Sequence, residues 1–194
     1  ARSVCASWVL LKFLRKHLWL CSSLMNKTNM TGLYIHVPFC RRKCLYCDFY
    51  SQTDLSLTDS YVKAVVRNIR AANITADTVY FGGGTPSLLS GAQIYDILSA
   101  ADISADAEIS AECNPDSATL PLMRDFRAAG INRLSIGIQS FNDDELKMMG
   151  RLHSSRQAAE AIQNAQKAGF ENISADLMLG LPYQTEETVR DNIR

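Results

Sequence analysis

From Met30 onward, short apolar runs alternate with stretches in which apolar residues return every third or fourth position. Residues 33–37 predict a strand ended by Pro38, and the apolar positions 61, 62, 65, 66 and 69 predict a helix over residues 61–72. A strand at 78–81 runs into Gly82, Gly83 and Gly84. Ser90 with Gln93 then has the capping-box spacing that opens a helix to about residue 100. Next come a strand at 108–113, a helix at 120–129 closed by Gly130, and a strand at 133–138. Asn142 with Glu145 caps a short helix, and residues 155–168 form a longer one closed by Gly169. A last strand spans 173–179, and Thr185 opens a helix still running at the final residue, which predicts a chain that stops before its fold is closed.

The segment Ala129-Gly-Ile-Asn-Arg-Leu-Ser135 is echoed 39 residues later by Ala168-Gly-Phe-Glu-Asn-Ile-Ser174. Each copy reads as a helix stop, a tight turn and a strand entry, which is the junction of stacked strand–helix units. Five such units in alternation imply parallel strands joined by helical crossovers. The fold class is α/β, either a (β/α) barrel or a doubly wound sheet.

Composition changes this picture mainly at the N-terminus. Of 194 residues, 47% are hydrophobic and 21% charged, with 20 basic side chains against 20 acidic ones. That is ordinary globular composition, which excludes disorder and a simple nucleic-acid binder. The balance is uneven along the chain: residues 1–47 hold eight Lys or Arg and no acid, and the remainder holds 20 acids and 12 bases. Lys12, Arg15, Lys16 and His17 interrupt the apolar stretch between Val9 and Leu20, so it is too short to span a bilayer and unlike a secretory signal. Residues 1–29 are therefore expected to be a leader outside the folded core: an upstream or expression-derived translation, with the protein starting at Met25 or Met30, or a targeting segment. Residues 30–194 are the domain.

Most of the chemically unusual residues fall at the C-terminal ends of the predicted strands, where barrels build their sites. Cys40 follows the first strand and the glycines the second; Glu112 and Asn114 close the third, and Gln139 and Ser140 the fourth. Asp176 lies inside the fifth, between apolar neighbours, and is expected to need a partner there. Of six cysteines, at 5, 21, 40, 44, 47 and 113, three form Cys40-Arg-Arg-Lys-Cys44-Leu-Tyr-Cys47. This C-x3-C-x2-C loop can bring three thiolates to one metal centre, and Arg41, Arg42 and Lys43 favour thiolates and offset an anionic cluster. The alternative is a zinc knuckle with His36 as fourth ligand, although the second cysteine pair usual in such sites is missing. Taken singly, the glycines could be a turn, Gln139 a buried amide tying two strands, Arg151 a surface charge, and His36 and Cys113 core residues.

Together the motifs narrow the choice. Tyr34-Ile-His-Val-Pro-Phe-Cys40 and Lys43-Cys44-Leu-Tyr-Cys47-Asp48-Phe49 closely resemble radical S-adenosylmethionine (SAM) proteins of the oxygen-independent coproporphyrinogen III oxidase-like family. The resemblance extends through Gly82-Gly-Gly-Thr-Pro-Ser87, Glu112-Cys-Asn-Pro115, Leu134-Ser-Ile-Gly-Ile-Gln-Ser-Phe141, Gly150-Arg-Leu-His-Ser154 and Asp176-Leu-Met-Leu-Gly-Leu-Pro182. It implies a partial (β/α) radical SAM barrel with five of about six strand–helix units. It also implies a 4Fe–4S cluster on Cys40, Cys44 and Cys47 whose open iron takes SAM. Tyr34, Tyr46, Gly83, Gly84, Thr85, Glu112, Gln139, Arg151 and Asp176 match the family's SAM-contacting positions, with Gly83, Gly84 and Thr85 offering backbone donors and a hydroxyl. The resemblance names no catalytic residue.

Within that family the sequence looks like the heme chaperone branch, which carries heme as cargo and passes it to acceptor proteins. The oxidase branch has a further cysteine two residues after the third, where this chain has Phe49, and an ordered N-terminal extension that nothing here resembles. Oxidative decarboxylation of porphyrinogen propionates is thus the alternative, and a structural zinc domain the second alternative. The resemblance further implies an electron donor such as flavodoxin or ferredoxin, and neither nucleic acid nor an integral membrane location. A reducing compartment follows, cytoplasmic or, if residues 1–29 are a transit peptide, the mitochondrial matrix.

Overall fold

Burial alternates residue by residue along the first strand, and that alternation sets the layering of the sheet. In the computed structural model, which describes residues 31–193, β1 (Gly32–Val37) buries Leu33, Ile35 and Val37 and leaves Tyr34 and His36 half-buried. Successive side chains of a strand point to opposite faces, so one face of β1 is apolar and the other polar. The leader assigned to residues 1–29 lies outside the described residues, as do Cys5 and Cys21.

Four more strands follow: β2 (Thr75–Gly83), β3 (Asp102–Cys113), β4 (Arg133–Gln139) and β5 (Asn172–Leu177), with the outer residues buried as far as β4 and only partly covered on β5. All pair in parallel, in the order β1-β2-β3-β4-β5. A doubly wound sheet reverses direction partway and covers both faces with helices. Over the described residues the strand order does not reverse, so the expected choice resolves to a partial (β/α) barrel. The outer face carries Val79, Phe81, Ala111, Cys113, Leu134, Ile136 and Ile138, and packs into a single core with the helices. Those helices are α1 (Thr58–Ala72), α2 (Gly91–Leu98), α3 (Leu120–Ala129) and α5 (Ser155–Lys167), with the short α4 (Asp143–Met148) and α6 (Glu186–Ile193) near the ends of β4 and β5. Ala158, Ala161 and Ala165 form the buried stripe of α5.

Local signals place the elements. Ser90 and Gln93 form the expected reciprocal capping box on α2, and Ser154 with Gln157 forms another on α5 that the apolar pattern does not reveal. Gly130 ends α3 with φ of 114°, and Gly169 adopts φ of 87° just beyond α5, so both halves of the repeat turn through the left-handed region. The α4 cap differs from expectation. Asn142 alone accepts the amides of Asp144 and Glu145, and the Glu145 carboxylate turns inward to Ser140 Oγ (2.6 Å). Strands β2 and β3 begin earlier than predicted because backbone pairing there, Thr75 with Asp102 and Ala76 with Ile103, extends past the apolar runs before a register shift at Ala76/Thr78. β5 ends at Leu177, two residues early, and Leu179 is exposed. Among the described residues no helix is long and apolar enough to cross a membrane.

Phe126 on α3 is fully enclosed by this core, whereas Tyr95 on α2 is 59% exposed. In urea unfolding of the parent protein, Phe126→Ala should cost about 3–5 kcal/mol. Tyr95→Ala should stay within about 0.5 kcal/mol of the unsubstituted protein. Equal losses from both would contradict the layering described.

Candidate functional site

The concave face of the sheet is polar from end to end. Register aligns Tyr34 with Tyr80, His36 with Gly82, Tyr80 with Ser110, and Glu112 with Ser135. These side chains bond to one another across the strands. Tyr80 OH donates to Glu112 Oε1 (2.9 Å), Arg133 donates to Ser110 (3.2 Å) and Ser174 (3.4 Å), and Ser135 donates to Asp176 (3.0 Å). The Tyr34 ring stacks on Tyr80 at 6.1 Å between centroids, and its hydroxyl lies 3.4 Å from His36 Nδ1.

The cysteine loop closes over the C-terminal mouth of this face. Its neck is a backbone clamp: Gln52 donates to Pro38 O (2.8 Å) and Cys40 donates to Gln52 O (2.9 Å). Phe39 roots the clamp in the core, edge-on to Tyr61. Cys40, Cys44 and Cys47 are free thiols, each partly exposed, while Leu45, Phe49 and Tyr50 project outward. Arg41 reaches across to Asp116 (3.3 Å), tying the loop to the segment after β3.

The glycines are required here for a reason other than the expected one. Gly83 N–H donates to Glu112 Oε2 (3.1 Å) and Gly84 N–H to Val37 O (2.8 Å), so neither amide is a free donor. What the glycines supply is room. A Cβ at Gly84 would stand 2.6 Å from Phe39 O and 2.8 Å from Val37 O, and one at Gly83 would lie 2.5 Å from the His36 ring. The strand-two loop therefore packs directly on the backbone that leads into Cys40. Thr85, buried, donates its hydroxyl to Cys40 Sγ (3.5 Å).

Arg151 completes the mouth. Nη1 approaches Cys44 Sγ (3.6 Å) and donates to Tyr46 OH (3.3 Å), while Nη2 donates to Asn114 Oδ1 (2.8 Å) and Gly137 O (2.6 Å). Arg151 is therefore no loose surface charge. Its Nε is buried without a partner, an orphaned donor that a carboxylate entering the mouth would satisfy. Gln139 sits at φ of 70°, an uncommon conformation for a residue with a side chain, and its amide lies against Gly137. Asp176 has the partner it was expected to need: Ser135 Oγ donates to its carboxylate (3.0 Å), although the side chain is exposed rather than enclosed.

Three residues without an assigned role in the sequence become central in the fold. Tyr80 shares the concave face with Tyr34, a relation that strand alternation could have revealed. Asn114 lies two residues past Glu112. His153, 4% exposed, ties the loop after α4 to Ile138 O (3.0 Å), and burial together with the Arg151 charge keeps its pKa below the ordinary histidine value.

In donor type and charge the thiols of Cys40, Cys44 and Cys47, beside Arg41, Arg42, Lys43 and Arg151, suit an anionic cuboidal iron–sulfur cluster. Among the described residues no three His, Cys, Asp or Glu side chains converge to hold a single ion. His36 is also committed elsewhere, its Nε2 paired with Tyr50 O (2.9 Å). A cuboidal cluster needs instead one thiolate on each of several irons, within a setting that tolerates negative charge.

The radical SAM superfamily model matches residues 34–194. The heme chaperone HemW of Escherichia coli is 38% identical over 181 residues, which cover 88% of this chain and 48% of its own length. Radical S-adenosyl methionine domain-containing protein 1, mitochondrial, of Bos taurus is 39% identical over 167 residues, 81% of this chain and 38% of its own length. Among solved structures, the coproporphyrinogen III oxidase HemN of Escherichia coli, a radical SAM enzyme, superposes with a TM-score of 0.73. It is 28% identical, over 82% of this chain and 39% of HemN. The chain thus spans less than half the length of each of these relatives.

Two outcomes follow from the packing. Gly84→Ala should displace the Cys40 segment, so that the reconstituted parent protein loses most of its iron and sulfide while its circular dichroism is kept; full cluster content would contradict it. Burial, the largest influence, raises the Glu112 pKa against the opposing hydrogen bonds from Tyr80 and Gly83. A carboxyl whose folded pKa is raised stabilises most below its unfolded pKa, and that contribution is lost as pH rises through the folded value. Glu112→Gln should therefore gain stability relative to the unsubstituted metal-free protein between acid and neutral pH, and a pH-independent difference would refute the assignment.

Proposed function

Since this chain belongs to the radical SAM superfamily, we propose that its parent protein is a heme chaperone whose cluster sits in the mouth just described. Cys40, Cys44 and Cys47 hold a 4Fe–4S cluster, and SAM binds beside it. When bound, the cluster and SAM supply reductive cleavage to methionine and a 5′-deoxyadenosyl radical. The protein's own residues bind and orient. Arg151, with its spare Nε–H, takes the SAM carboxylate; Asp176, open on the concave face, takes ribose hydroxyls; and Tyr34, Tyr46, Gly83, Gly84, Thr85, Glu112 and Gln139 line the rest of the pocket. Arg41, Arg42 and Lys43 offset the cluster's charge and present a basic edge to an acidic electron donor such as a flavodoxin or ferredoxin.

Phe49 carries the choice of chaperone over oxidase. It stands where the oxidase branch has a further cysteine, and it is 61% exposed beside the thiols. Similarity to HemW of Escherichia coli supports the same reading. Heme, or a related porphyrin, is then the cargo, delivered to acceptor proteins in a reducing compartment, the cytoplasm or the mitochondrial matrix.

The full-length parent protein, reconstituted anaerobically with iron and sulfide, distinguishes the readings. Incubated with SAM, a reductant and coproporphyrinogen III, it should leave the porphyrinogen unchanged, and it should bind added heme with a shifted Soret band. Protoporphyrinogen formed together with 5′-deoxyadenosine would make it an oxidase. Bound zinc without acid-labile sulfide would make it a structural metal domain.

A further inference from the structure

The polar arc at the mouth has one member with no hydrogen bond to a thiol, yet it joins both of its arms. Asn114 Nδ2 donates to Thr85 Oγ1 (2.9 Å), and Thr85 in turn donates to Cys40 Sγ (3.5 Å). On the other side Asn114 Oδ1 accepts from Arg151 Nη2 (2.8 Å), and Arg151 Nη1 approaches Cys44 Sγ (3.6 Å). Residues from four separate segments thus form a continuous run from one cysteine to another, with the Asn114 amide at its centre.

The direction of every bond in that run follows from one chemical fact. A guanidinium has donors and no acceptor, so the amide oxygen of Asn114 must face Arg151. Its NH₂ must then face Thr85, which makes the Thr85 oxygen an acceptor there. The single hydroxyl proton of Thr85 is left for Cys40. The backbone of Asn114 is held in place: its N–H donates to Ser87 Oγ (3.2 Å), and its carbonyl accepts from Ser117 N–H (3.0 Å) and Ser117 Oγ (3.0 Å). Ser87 and Ser117 are buried and bonded to each other (2.6 Å).

We propose that Asn114 is a positioning residue that sets the polarity of the hydrogen bonds reaching Cys40 and Cys44, and thereby raises the reduction potential of the cluster those thiolates hold. The proposal rests on the cluster reading above. Hydrogen bonds to ligand sulfurs favour the more negative, reduced state, and losing one lowers the potential. Aspartate at this position would reverse one arm. A carboxylate still accepts from Arg151 but has no proton for Thr85, so the Thr85 hydroxyl turns to the carboxylate and leaves Cys40.

The test is an EPR-monitored redox titration of the full-length reconstituted protein and its variants, arranged as a double-substitution cycle. Thr85→Val alone should lower the midpoint, by a shift equivalent to about a tenfold change in the reduced-to-oxidised ratio, about 59 mV for one electron. In an Asn114→Asp background Thr85→Val should change almost nothing further, because that hydroxyl no longer serves Cys40. The cycle cancels the charge of the new carboxylate itself. Equal shifts in the two backgrounds overturn the proposal and leave the cluster reading intact. Asn114→Leu removes both hydrogen bonds without adding charge and should also lower the midpoint; a midpoint equal to that of the unsubstituted protein overturns the proposal even if Asn114→Asp holds no cluster. Zinc without sulfide in the unsubstituted protein sinks the cluster reading and this proposal with it.

Discussion

The strict alternation of a β-strand governs nearly everything in this molecule. Because neighbouring side chains must point to opposite faces, a strand such as Leu33-Tyr34-Ile35-His36-Val37 commits three residues to a helix-covered core and two to a concave surface. Parallel pairing carries that division from β1 through β4, and β5 continues the polar face with Ser174 and Asp176. A shift of one residue in any pairing would carry Glu112 or Arg133 into the apolar layer and Ala111 or Leu134 onto the polar face. The burial of Val79, Phe81, Ile136 and Ile138 therefore protects the register on which the concave face depends. The core and the site are two sides of the same five strands.

A polar interior of this kind is costly unless each group finds a partner or water. Here the partners come mainly from the adjoining strand: Tyr80 for Glu112, Ser110 and Ser174 for Arg133, Ser135 for Asp176. The pairing leaves Arg151 Nε as an orphaned donor at the mouth, next to the cysteine loop. The site is thus largely satisfied without ligand and retains a spare donor where an anionic group would enter. Positive charge is concentrated on the same rim, in Arg41, Arg42, Lys43 and Arg151, where thiolates would otherwise repel one another.

Much of the candidate site was legible along the chain because its residues lie in short contiguous motifs. The cysteine loop, the glycine run, Glu112 and Arg151 could each be read from local spacing or from likeness to a family. The roles of Asn114 and Tyr80 could not be read in that way, although strand alternation places Tyr80 on the concave face. Their importance comes from partners 29 to 37 residues distant, Thr85, Arg151 and Glu112, and no local pattern encodes such a contact. The glycines show the opposite failure. Their position was clear, but their amides are taken by Glu112 and Val37, and their absent side chains serve the close packing of β2 against the approach to Cys40.

By itself the sequence determined the alternation of strands and helices, the helix ends at Ser90 and Gly130, and the identity of the three grouped thiols. All of these depend on interactions within a few residues, which spacing records directly. Tertiary structure decided between a barrel and a doubly wound sheet, since strand order depends on which segments pair and not on what each segment is. It also turned Glu145 away from its expected cap and gave Asp176 its partner, because both outcomes depend on what stands opposite in space: Ser140 for the first, and Ser135 on the adjoining strand for the second.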